Sequence, residues 1–317
     1  MKNMTASAAG WGGGSAVPAA ICALASAGFF LASAFAPVLG ALAPTPLYFA
    51  FALIGIKGGA AIAALSSIVV FVTAGAGQAF VYLSFCGMIA GALAVSRERL
   101  FSLEKTLAAM VIPAFIAGSL LYLASPVAEG KGTFELGAGW GDSLIASLIE
   151  SNRNINSDPA VADWLEANRA QLGSLLGGVF PSLVLISLLM IAVINIVITR
   201  IISLKTGVVG AIESHKLSEW KTPDWMVWGV VVPGFGILFA GEGSSGFVSI
   251  NALLITMALF MIQGVAIIHH WFFRNSASVV LRTVGYFVIF SHPFFMLLTS
   301  GLGLMEVWVD FRKDKNP

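Results

Sequence analysis

The chain has 317 residues, 58% hydrophobic and 10% charged, and its 17 Lys+Arg against 16 Asp+Glu leave a formal net charge of +1. A soluble domain carries about 25% charged residues, so a water-soluble enzyme, a disordered tail and a nucleic-acid binder with a basic surface are excluded. With a mean hydropathy of +0.91, the chain reads as an all-α, polytopic membrane protein whose first partner is the lipid bilayer.

A helix needs about 20 apolar residues to cross the roughly 30 Å hydrocarbon layer. The runs that approach this length are 17–39, 58–74, 78–95, 107–124, 177–199, 224–241, 247–268 and a long one over 277–309. Lys2 and the Ala32-Ser33-Ala34 triplet give the first run some features of a signal peptide. Its apolar character continues through Leu42 without a polar break, so it is read as a retained helix. A shorter run, 44–56, opens with Pro44-Thr45-Pro46 and counts as a crossing because charges demand it. Cations collect in cytoplasmic loops, and Lys2, Lys57 and the group Arg97, Arg99 and Lys105 alternate with uncharged turns at 38–43 and 75–77. The N-terminus is therefore expected in the cytoplasm.

Residues 126–176 form an acidic loop expected outside the cytoplasm, with Glu129, Glu135, Asp142, Glu150, Asp158, Asp163 and Glu166 outnumbering Lys131, Arg153 and Arg169. Asp158-Pro159 reads as a cap and first turn, with Val161, Trp164, Leu165, Leu172 and Leu176 on one face. Ser143–Ser151 is a second amphipathic piece, carrying Leu144, Ile145, Leu148 and Ile149 together. Beyond it, loop 200–223 is basic and so is the tail Arg312-Lys313-Asp314-Lys315. A tail inside requires 277–309 to cross twice, with Ser291 capping a new helix and Pro293 in its first turn. The count is then ten crossings, or nine if that run passes once. Three parts follow: an N-terminal small-residue-rich bundle (1–125), the amphipathic loop (126–176) and a C-terminal bundle (177–317).

Ala23, Ala27, Ala32 and Ala36 place a smooth stripe on the first helix, suited either to packing inside the chain or to docking another membrane subunit. Pro44, Pro46, Lys57 and Gln78 are the candidate solute-binding residues, since broken helices expose backbone groups only where a cavity satisfies them. Asn195, Asn251 and Gln263 are deep polar groups of the type that bridges helices. Asp310 and Arg312 read as an interfacial ion pair. His269, His270 and His292 have no ligand partner at metal spacing, and Cys22 and Cys86 sit in apolar runs as inert thiols. Gly241-Glu242-Gly243-Ser244-Ser245-Gly246 matches a dinucleotide fingerprint, but no strand precedes it. No catalytic residues, metal site or cofactor are expected, and no nucleic-acid partner.

The order of short motifs resembles the YybS-like family of predicted bacterial membrane proteins of unknown function. The matching pieces are Pro44-Thr45-Pro46-Leu47 with Gly55-Ile56-Lys57-Gly58, and 85–99 ending in Ser-Arg-Glu-Arg. They continue through Phe180-Pro181-Ser182, Trp220 with Pro223-Asp224-Trp225, Gln263-Gly264 and Trp308-Val309-Asp310-Phe311-Arg312. Lys57 in place of arginine and Glu306 in an apolar segment depart from that pattern. The N-terminal half of that family is similar to the substrate-binding components of energy-coupling-factor vitamin transporters, whose first helix docks on a coupling subunit through an Ala-x-x-x-Ala stripe. The resemblance implies an inner-membrane protein that binds or moves an unidentified small molecule, not an enzyme. A membrane scaffold or envelope-assembly partner is the alternative.

Overall fold

The computed structural model describes residues 16–129, 133–154, 159–206, 220–239 and 244–312. The expected Asp158 cap, residues 241–243 of the glycine string, Lys216 and the cations at 313–315 lie outside them. Helix is the dominant structure and no strand occurs among the described residues, so the chain is an all-α protein. Two compact units form, one from 1–122 with 187–215 and the other from 123–186 with 216–317.

In the first unit, α1 (Ala16–Ala32) packs on α3 (Pro44–Tyr82) through Ala19, Ala23, Ser26 and Ala27. The small side chains let the two backbones approach closely, the main source of attraction between helices in lipid. The chain turns at 33–36, where Ala36 is extended (φ −140°), and Pro37 then opens α2 (Pro37–Leu42). The expected turn at 38–43 is thus displaced toward the N-terminus, because extended Ala36 followed by a first-turn proline makes the stronger break. Ala43 keeps helical angles (φ −56°, ψ −34°) between α2 and α3. Pro44 and Pro46 therefore interrupt hydrogen bonds without ending the rod. Residues 37–54 rise about 27 Å, which makes the second segment longer than the 44–56 run suggested.

Among the described residues, four helical stretches are long and apolar enough to cross a membrane, or five with one bent pair included. The first of these, Pro37–Glu98, has 62 residues and is folded back on itself twice. Gly55 (φ 77°, ψ 173°) and Gly75 (φ 87°, ψ 174°) leave the helical region inside α3. An ideal Cβ on Gly59 would lie 2.7 Å from the Phe51 Cα, whereas eight residues of straight helix would separate these positions by about 12 Å. Likewise Ser66 Oγ lies 3.0 Å from the Tyr82 hydroxyl, across sixteen residues of sequence. The stretch is accordingly three antiparallel rods, 37–54, 56–74 and 76–98, joined at single glycines. The last contains a π-helical turn (Leu83–Gly87) and α4 (Met88–Glu98). These joints fall where the charge pattern places turns, beside Lys57 and at 75–77. α5 (Leu103–Glu129) follows, and the rest of the unit comes from α8 (Arg169–Thr206) beyond Ser187.

The second unit holds α6 (Thr133–Asn154), α7 (Pro159–Ala167), the start of α8, α9 (Trp228–Phe239), α10 (Ser244–Arg274), α11 (Val279–Ser291) and α12 (Pro293–Met305). α6 and α7 pack on each other through Ile145, Ile149 and Ala162. Leu144, Leu148, Val161 and Trp164 point outward instead, so the apolar residues of these helices divide between two faces. α10 and α12 cross where Gly264 and Gly303 meet: an ideal Cβ on Gly303 would overlap the Phe260 carbonyl oxygen and lie 2.8 Å from Gly264 N. Run 277–309 breaks at His292, with α11 and α12 bent by 105°. The cap is His292, not Ser291: its Nδ1 accepts from Phe294 N at 3.2 Å, while Ser291 Oγ donates to Phe287 O within its own helix.

Candidate functional site

The proline pair is the point where the first unit departs most from simple helix packing. Pro44 and Pro46 lack the N–H groups that the carbonyls of Gly40 and Leu42 would meet in an uninterrupted helix. Ala43 N turns to Gly40 O at 3.2 Å. The neighbouring carbonyls receive side-chain donors, Asn195 Nδ2 to Ala41 O at 2.8 Å and Ser26 Oγ to Ala43 O at 2.7 Å. Thr45 Oγ1 donates to Asn195 Oδ1 at 2.7 Å. Behind Ser26 runs a line of hydroxyls, with Tyr82 OH donating to Ser26 Oγ at 3.1 Å and Ser66 Oγ 3.0 Å from the Tyr82 oxygen. Ser66 Oγ also lies 2.9 Å from Ala63 O, which gives its proton a second acceptor. Ser26, Thr45, Ser66, Tyr82 and Asn195 are all buried.

This arrangement divides the sequence candidates. Pro44 and Pro46 belong to the buried cluster, Pro44 fully and Pro46 in part. Lys57 and Gln78 are exposed, each beside one of the glycine joints. The rod 56–74 between them is about 27 Å long, so they occupy opposite ends and do not share one pocket. Ala23 and Ala27 are covered by the chain's own α3, and Ala32 and Ala36 are half-buried. The outward face of α1 carries Val17, Ile21 and Leu24 instead. Sequence reasoning missed Ser26, Ser66 and Tyr82. Their only signal is that each is a small or aromatic hydroxyl within a long apolar run, Ser66 beside a second serine.

The second unit repairs its own breaks in the same manner. Asn251 inserts its amide into α8 one residue past Pro181, Oδ1 accepting from Ser182 N at 2.9 Å and Nδ2 donating to Gly178 O at 2.7 Å. Gln263 Oε1 accepts from the backbone N and the hydroxyl of Thr222, and Gln263 Nε2 donates to Glu306 Oε2 at 3.0 Å. Glu306 then pairs with Arg312, Nε to Oε1 at 2.6 Å, with Glu306 almost wholly buried. Among the described residues, the expected partner Asp310 accepts from the Arg312 backbone N, at 3.2 Å, and not from its guanidinium. Glu306 has the advantage because its carboxylate, buried with Gln263, can receive two parallel N–H bonds from the guanidinium. His269 Nδ1 lies 2.7 Å from the Tyr286 hydroxyl, and a cleft of about 290 Å³ opens among Ile149, Glu150, Arg153, Glu166 and Arg169.

Long apolar helices, proline breaks sealed by amides and hydroxyls, and glycine-jointed hairpins define a multi-pass α-helical membrane protein. More narrowly, residues 23–307 match the family model of a predicted membrane protein, DUF2232, and the chain belongs to that family. No curated protein and no solved structure matches the chain.

Proposed function

We propose that the protein binds or moves a small polar solute at the proline-interrupted rod, within the cytoplasmic membrane of a bacterium and with its N-terminus inside. One observation carries the reading: next to the two carbonyls that the prolines leave without a helical N–H, the carbonyls of Ala41 and Ala43 accept from exchangeable side-chain donors, Asn195 and Ser26. Transporters place binding sites at such discontinuous helices, where a solute takes over contacts that side chains make in its absence. Ser26, Thr45, Tyr82 and Asn195 are the binding groups, Pro44 and Pro46 create the break, and Lys57 and Gln78 stand at the two ends of the neighbouring rod. The chain contributes no catalysis of its own. The resemblance to YybS-like proteins and to vitamin-binding transport components supports a partner subunit. That partner would meet α1 through Val17, Ile21 and Leu24, since Ala23 and Ala27 are covered.

The test is purification in mild detergent followed by native mass spectrometry and metabolite extraction. Wild-type protein is expected to carry a polar metabolite that Asn195→Leu protein has lost. Finding none on wild type across several detergents, or the same one on both, overturns the reading. A scaffold role is favoured by one specific observation, the outward row of Leu144, Leu148, Val161 and Trp164 on α6 and α7. It predicts a co-purifying protein that is lost with Trp164→Glu and retained in Asn195→Leu.

A further inference from the structure

Among the described residues, five buried polar atoms of the first unit have no hydrogen-bond partner: Tyr48 OH, Ser96 Oγ, Thr199 Oγ1, Arg200 Nε and Ser203 Oγ. Tyr48, Ser96 and Thr199 are fully buried and Ser203 nearly so. Arg97 approaches the Tyr48 hydroxyl without closing a hydrogen bond. Neither Arg97 nor Arg200 has an ion pair among the described residues, and both are half-buried. Buried donors without acceptors are rare in folded proteins and each costs free energy, so a group of them calls for an explanation.

The orphans share one end of the unit. Rod 37–54 ends at Gly55 beside Lys57, and rod 76–98 ends at Arg97 and Arg99; Gly91 faces the Phe51 ring, which puts these two ends level. α8 carries Lys205 in its last turn, and cationic helix ends sort to one side of a membrane. α8 therefore runs parallel to rod 37–54 from the Thr45–Asn195 hydrogen bond onward. One turn past that bond brings Thr199 to the depth of Tyr48, and Ser203 follows on the same face another turn down. All five orphans and both guanidinium groups fall within about 12 Å of depth.

We infer that this end of the unit is a binding site for an oxyanion of the phosphate class, centred on Arg97 and the hydroxyls of Tyr48 and Thr199, with Arg200, Ser96 and Ser203 flanking it. The site is separate from the proline break and stands or falls independently of the solute reading. The guanidinium groups are donors alone, each hydroxyl has a proton to give, and no acidic residue among the described ones is buried in this unit. A guanidinium fork and two hydroxyls at the centre, with a second guanidinium and two hydroxyls around them, suit the several acceptor oxygens that a phosphate group presents in three dimensions better than the two of a carboxylate. The phosphate belongs either to a lipid headgroup or to a free anion.

The experiment follows thermal unfolding of the full chain in a sugar-based, phosphate-free detergent. Inorganic phosphate is titrated against chloride at matched ionic strength, and short-chain phosphatidylglycerol against the matching diacylglycerol. A raised midpoint with inorganic phosphate identifies a free anion; one with phosphatidylglycerol alone identifies a headgroup. Arg97→Gln and Thr199→Val should weaken the response at least tenfold, while Arg99→Gln, exposed at the same end, leaves it intact. Without ligand, Thr199→Val should melt no lower than wild type, because it replaces an orphaned hydroxyl with a methyl of the same size. No shift with either probe, an equal shift in chloride or diacylglycerol, or undiminished binding by Arg97→Gln and Thr199→Val overturns the assignment.

Discussion

A single methyl group at Gly303 tests the α10–α12 crossing. Its ideal position lies 2.8 Å from Gly264 N and 2.9 Å from the Phe260 carbonyl carbon, about 0.7 Å inside normal contact. The obstructing atoms are backbone, so no rotamer relieves the overlap and the two helices must separate. Overpacking of this kind costs about 1–3 kcal/mol. The separation also stretches the 3.0 Å bond from Gln263 to Glu306, where interhelical bonds in membranes contribute about 0.6 kcal/mol and up to about 1.7. Helix propensity returns about 1 kcal/mol for Gly→Ala. Gly303→Ala should therefore lose about 2 kcal/mol net. Gly301, two residues earlier on α12, has nothing within 4 Å of its ideal Cβ, so Gly301→Ala should keep the propensity gain. The two variants, unfolded by heat or denaturing detergent under identical conditions, should differ by about 3 kcal/mol with opposite signs relative to wild type. Gly264→Ala should side with Gly303→Ala, because its ideal Cβ lies 2.8 Å from the Thr299 carbonyl carbon. Equal stability of the 301 and 303 variants would refute the close crossing.

The hairpin joints give a purely conformational test. Gly55 and Gly75 have open space around the ideal Cβ but angles that only glycine adopts readily, so Gly55→Ala and Gly75→Ala should each cost about 1–3 kcal/mol in the same unfolding assay, and a neutral result would argue against the reversals. Glu306→Leu leaves Arg312 charged and largely enclosed, which should cost about 3–5 kcal/mol, whereas Glu306→Leu with Arg312→Leu should recover most of that loss. If the double variant is no more stable than the single one, the pair does not act as a unit. Arg169 hydrogen-bonds both oxygens of Asp142 at 2.6 and 2.7 Å and holds its carboxyl below the ordinary value of 3.8. A depressed carboxyl stabilises the folded state above its unfolded pKa and loses that contribution as pH falls through the folded value. The protection of α6 amides, measured as exchange relative to an unstructured peptide at the same pH, should therefore be constant from neutral pH down to about 4 and fall below it, and Asp142→Asn should remove that pH dependence.

Composition alone decided the solvent. With so few charges and so many apolar residues, no water-soluble core accommodates this chain, and the spacing of Lys57, Arg97 and Arg99 already marked the rods now seen between the glycine joints. Asn195, Asn251 and Gln263 were also legible as helix bridges, because an amide deep in an apolar run has no other use for its hydrogen bonds. Other assignments needed three dimensions. Pro44 and Pro46 signal a break by themselves, yet Ser26 and Asn195, remote in sequence, hold the adjacent carbonyls and let the rod continue. Small residues at 23 and 27 are compatible with any close helix neighbour, and only the fold shows that α3 takes the place. Arg312 had two carboxylates within reach of its segment, and burial beside Gln263 selected Glu306 over Asp310. Hydropathy and charge act through the local chain and the bilayer, so they can be read along a string. Hydrogen-bond pairing between distant segments depends on which helices come to lie side by side, and that is settled when the units pack.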